Sequence, residues 1–141
     1  MTTSFGFYLD AGKTLPLTTA AVFSMNVDGS TGPVDTILFF GSTVTGRLAR
    51  AASNPGVDML TVSIEDANPG GGQPSTAVKL ALDAAGLATA TAGAPLNLGI
   101  TERLSSASGF PIHVRYTDQT GVVGNYADLA LKTCDLFETA V

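Results

Sequence analysis

The chain has 141 residues, of which 45% are apolar and only 13% charged, and its net charge is −5. So much apolar content with so little charge excludes a disordered chain, and the acidic balance lacks the basic footprint that nucleic-acid binding requires. The length suits one domain, spanning residues 1–141, that buries a core without staples.

In chain order, Phe5, Phe7 and Tyr8 precede the first clear strand pattern. Phe23, Met25 and Val27 then alternate with Ser24 and Asn26, the period of a half-buried strand. Asp28-Gly29-Ser30-Thr31-Gly32-Pro33 breaks that run, and Val34–Gly41 follows with Ile37-Leu38-Phe39-Phe40 at its centre. Such a continuous apolar run predicts a strand buried on both faces. Residues 45–52 accept one or two helical turns, limited by Pro55. Period two returns at Leu60, Val62 and Ile64, and again at Val78, Leu80 and Leu82. Between them Asn68-Pro69-Gly70-Gly71-Gly72-Gln73-Pro74 predicts a long loop. Gly86 and the alternation Thr89-Ala90-Thr91 split residues 78–92 into two strands around a turn. Leu96, Leu98 and Ile100 alternate next, then Ile112, Val114 and Tyr116, then Leu129 and Leu131. About seven to nine short strands punctuated by Gly and Pro predict an all-β fold, an antiparallel β-sandwich of immunoglobulin-like or jelly-roll-like type.

The ends differ from the middle. Residues 1–19 and 134–141 are expected to act as docking arms, on the domain itself or on a neighbour. Phe5, Phe7, Tyr8, Leu136 and Phe137 are the expected partner contacts. The uncharged span Ala88–Ile100 is a further candidate contact, because charge is a common way to blunt a strand edge. No basic stretch leads into an apolar run, so no signal peptide is expected, and no run of about 18 apolar residues predicts a membrane helix.

Residues for chemistry are sparse. His113 is the only histidine and lies mid-strand beside Arg115, as a surface residue would. Cys134 is the only cysteine, which precludes an internal disulfide or a multi-cysteine zinc site. Neighbouring carboxylates Glu65 and Asp66, and the pair Asp118 and Asp128, read as turn residues at strand ends. The spaced ligands of an EF-hand loop are missing, which leaves for calcium only a looser site from Asp28, Asp66, Asn68 or Asp118 at loop ends, and Gly70-Gly71-Gly72 lacks the Lys and helix of a phosphate loop. The expectation is a protein without catalytic, cofactor or metal-binding residues.

The segments Ala52-Ser53-Asn54-Pro55-Gly56-Val57-Asp58, Asp66-Ala67-Asn68-Pro69-Gly70, Gly93-Ala94-Pro95-Leu96-Asn97-Leu98-Gly99 and Gly124-Asn125-Tyr126-Ala127-Asp128-Leu129 resemble in texture the small sandwich proteins that decorate tailed-phage heads. The resemblance spans roughly residues 20–133. It implies a virion structural protein made in the host cytoplasm, a dimer or trimer seated on the major capsid protein at the outer surface of the head. It would bridge capsomers as a cement protein. A phage tail or neck protein is an alternative. A carbohydrate- or cell-surface-binding module is another, and would place Tyr8, Tyr116 or Tyr126 on an exposed groove.

Overall fold

The computed structural model describes residues 3–17, 32–117, 119 and 129–141. The expected strand around Phe23, Met25 and Val27 lies outside them. Within them the chain is all-β, with ten strands: β1 (Gly6–Tyr8), β2 (Val34–Gly41), β3 (Arg47–Ala51), β4 (Thr61–Asp66), β5 (Val78–Ala81), β6 (Leu96–Asn97), β7 (Glu102–Leu104), β8 (Phe110–Tyr116), β9 (Leu129–Thr133) and β10 (Leu136–Ala140). They form three antiparallel sheets, ordered β1-β2-β8-β5, β10-β3-β7 and β6-β4-β9. None of the three closes on itself.

All three sheets contribute to one apolar cluster. The first supplies Leu38, Phe40, Val78, Leu80, Ile112 and Val114, the second Ala49 and Ala51, the third Val62, with Leu60 and Leu98 flanking it. The period-two pattern explains the selection. Leu38 pairs with Ile112, and Leu80 with Val114, so each row crosses the sheet on one face. On the opposite face Asp35 pairs with Arg115, and Ile37 with His113. Leu129 and Leu131 pack on the same cluster from β9.

Three local expectations fail for definable reasons. The run Ile37–Phe40 is not buried on both faces: Ile37 is 40% exposed, whereas Leu38 and Phe40 are buried. Its outer face carries the Asp35–Arg115 ion pair and meets solvent. Residues 47–51 form strand, not helix, because β3 is held on both sides by β10 and β7. Pairing of that extent overrides the mild helix preference of Arg, Leu and Ala. Residues 78–92 yield one strand only. After β5 the Gly86 amide donates to Asp83 Oδ1 at 2.6 Å, which folds the chain into a 3-10 turn, Ala85–Ala88, that buries Leu87. The uncharged span after it contributes only the two-residue β6 to a sheet.

The turn signals fare better. At Asn54-Pro55-Gly56 the amides of Val57 and Asp58 both donate to Asn54 O at 3.0 Å. Gly56 there has φ +81°, a conformation that side chains oppose. Gly109 serves a different purpose. A Cβ at that position would lie 2.6 Å from Phe39 Cβ, and its amide donates to Ala11 O at 2.8 Å. Close packing of this backbone on Phe39 of β2 demands glycine here.

Candidate interaction surface

Both ends of the described chain are folded into the domain. Phe5 and Tyr8 are buried, and Phe7 packs against the core. The rings of Phe5 and Phe7 stand 5.6 and 6.0 Å from Phe40. β1 is an edge strand, but residues 15–17 double back along it. Leu9 N donates to Leu15 O at 2.8 Å, Leu17 N donates to Phe7 O at 2.9 Å, and Tyr8 bridges to Pro16. Proline on that returning segment gives no outward amide.

The turn between is fixed by two side chains. Asp10 accepts from the Thr14 hydroxyl at 2.6 Å and from the Leu15 amide at 2.9 Å, and these bonds, that of Thr14 first, hold its carboxyl below the usual range. Lys13, at φ +60°, reaches across to two other loops. Its ammonium donates to the carbonyls of Ser42, Ser105 and Ala107 at 2.8, 2.6 and 2.7 Å. All three of its protons are thereby used.

At the other end, β10 pairs with the whole length of β3, from Leu136 with Ala51 to Ala140 with Arg47. Glu138 points inward and ties three segments together. Its carboxylate accepts from the Ser4 hydroxyl at 2.6 Å, the Ser4 amide at 2.9 Å, the Thr3 hydroxyl at 3.0 Å and the Arg47 guanidinium at 2.9 Å. Burial alone would raise the pKa of this carboxyl. The bonds from Ser4, Arg47 and Thr3 outweigh burial and hold it at about 2 against an ordinary 4.5.

A depressed carboxyl stabilises the fold above its unfolded pKa. That contribution is lost as pH falls from 4.5 through about 2. The shift corresponds to about 3 kcal/mol at most, and solvent screening at the edge of the sheet reduces this to about 2 kcal/mol. Glu138→Gln is therefore expected to cost about 2 kcal/mol at pH 7, and the gap to the parent protein should close towards pH 2. Urea unfolding of both proteins across that range reads the effect. An unchanged gap would show that the carboxylate charge is not what holds the three segments.

The other candidate residues are dispersed. His113 lies on the face of the first sheet opposite Ile112 and Val114, partly buried, in register with exposed Ile37 and buried Ala81. Cys134 is partly buried and lines a shallow cleft of about 330 Å³ with Ala52, Ser53 and Asp135. Glu65 pairs with Lys132 at 3.6 Å, and Asp66 accepts from the Asn68 amide at 2.9 Å. Asp28, Asp118, Tyr126 and Asp128 lie outside the described residues. Among the described residues no cluster of three or more His, Cys, Asp or Glu could hold a metal. Tyr8 is buried, and Tyr116 is partly buried against the core.

The remaining edges differ in how they are protected. β6 and β7 have two and three residues. β5 carries Lys79, and its Val78 carbonyl already accepts from Gly93 N at 2.8 Å. β9 carries Lys132. β10 has five residues with neither Pro nor Lys, and its one charged side chain, Glu138, is turned inward. Phe137 stands on its outer face, 43% exposed. A strand edge of that kind is a template for pairing with another chain. Comparison with protein-family models, with curated proteins and with solved structures finds no match.

Proposed function

We propose that the protein is a non-enzymatic structural protein of a tailed-phage particle, a head decoration or cement protein on the outer surface of the capsid. In this reading the four-stranded sheet packs as one layer of a β-sandwich, and the two three-stranded sheets form the other. The shared cluster of Leu38, Phe40, Ala49, Val62 and Ile112 supports that arrangement. The protein would assemble as a homo-oligomer and seat on the major capsid protein, bridging capsomers.

The observation that carries the reading is the edge of β10, left unpaired among the described residues, with Phe137 exposed on it. Natural sheets protect such edges or use them. The charge balance agrees with it. A chain of net charge −5 suits the outside of a particle better than contact with packaged DNA. Stabilisation would follow by mass action, because a ligand that binds only the assembled shell favours that shell.

The test uses empty heads assembled from the major capsid protein of the same genome. Purified protein should co-sediment with them at a fixed stoichiometry and raise the temperature at which they rupture. Failure to co-sediment at saturating concentration, with the protein folded, would remove the decoration reading.

A further inference from the structure

We infer that β10 pairs edge to edge with β10 of a second copy of this chain, across a two-fold axis at Phe137. The inference rests on the assembly reading for its purpose, and on the geometry of the strand for its partner.

The direction of the backbone groups comes first. Ala52 N donates to Asp135 O at 2.8 Å, and Val141 N donates to Gly46 O at 2.9 Å. With the register of β10 on β3, residues 135, 137, 139 and 141 turn their backbone groups towards β3. Leu136, Glu138 and Ala140 therefore turn theirs outward, since successive residues alternate. Among the described residues those outward groups have no backbone partner. Among the described residues the hydrogen bonds from the N-terminal segment to Glu138 go to its carboxylate.

A second copy is the occupant that this edge fits. Antiparallel pairing of a strand with itself creates a two-fold, in which one patch serves both subunits. Three registers bring two or more outward residues of each strand face to face. One centres on Glu138 and sets it against the partner's Glu138, and like charges directly opposite are destabilising. One centres on Thr139 and sets Phe137 against the partner's Val141, with no aromatic pair. The third centres on Phe137. Leu136 then exchanges backbone hydrogen bonds with the partner's Glu138, and Glu138 with the partner's Leu136. Phe137 meets the partner's Phe137 at the non-hydrogen-bonded position between them, where side chains approach most closely. The exposed ring is covered by its own mate, and an aromatic cross-strand pair is among the favourable ones. Two sheets of order β10-β3-β7 thereby become one continuous six-stranded sheet.

Disulfide trapping in the full chain tests the register. At the non-hydrogen-bonded position Cα atoms sit about 4.5 Å apart, within disulfide reach. In a Cys134→Ser background, Phe137→Cys should cross-link into a covalent dimer on mild oxidation. Thr139→Cys, which faces the partner's Asp135 in this register, should cross-link about tenfold more slowly or not at all. Both positions lie on the face opposite Glu138, and circular dichroism checks that each variant keeps its fold. Light scattering of the parent protein should give twice the chain mass at high concentration, and Phe137→Lys should return it to one. A parent protein that stays monomeric, or equal trapping at 137 and 139, overturns the inference. Its failure is separable from failure of the decoration reading. A monomer that binds empty heads leaves that reading standing without this interface, and a trapped dimer that does not bind them leaves the reverse.

Discussion

Phe40→Ala is expected to lower the unfolding free energy by about 3–5 kcal/mol, the cost of emptying a large aromatic site in a packed core. Phe40 is 0% exposed on β2, the second strand of the four-stranded sheet. It faces Phe110 across the pair with β8, and Phe7 across the pair with β1. Its ring also meets the rings of Phe5 and Phe7 from the N-terminal segment. Removing it therefore loosens the docking of that segment as well as the core. Domains of this size are stable by about 5–15 kcal/mol, so the variant should populate the unfolded state measurably. Urea denaturation reads the effect as a fall in midpoint at unchanged slope. Phe137→Ala is the comparison: the same residue type at 43% exposure should cost the monomer under about 1 kcal/mol. Equal losses at the two positions would contradict the assignment of Phe40 to the centre of the core.

Lys13→Met is expected to cost about 2–4 kcal/mol, from the loss of three charge-assisted hydrogen bonds. The ammonium is the common partner of carbonyls from two loops, at Ser42 on one side and at Ser105 and Ala107 on the other. Ser42 and Ser105 are buried, so their carbonyls gain little from water when the lysine is removed. Methionine keeps the stem that passes over Gly41, where a Cβ would stand 2.8 Å from Lys13 Cδ. It also bears the same strain at φ +60°. The comparison therefore isolates the ammonium. Hydrogen exchange should show faster exchange at the amides of Val44, Arg47 and Gly109, which lie on the joined loops or at the start of β3. A loss of stability below about 1 kcal/mol, with those amides still protected, would mean that the loops hold themselves without Lys13.

The two side chains that tie distant segments together, Lys13 and Glu138, carry no local signature. A lysine between Gly12 and Thr14, and a glutamate between Phe137 and Thr139, look like ordinary surface residues. Their partners lie up to 135 positions away in the chain, and only folding brings them within reach. The terminal strands were hidden for the same reason. Phe5, Phe7, Leu136 and Phe137 are visible as apolar residues near the ends, but whether they cover the domain or a neighbour depends on where β2 and β3 place their edges.

Alternation by itself determined which face of β4, β8 and β9 meets the core, because a strand's side-chain period of two leaves one choice per register. It also fixed the all-β class, and glycine and proline fixed the turns at Asn54-Pro55-Gly56 and in the loop before β5. Only the tertiary structure decided that residues 47–51 extend rather than coil, since pairing partners on both sides of β3 come from residues 102–104 and 136–140. It alone decided that Ile37 faces solvent while Leu38 does not. A run of four apolar residues has no period, so its burial is set by what packs on each face of the sheet.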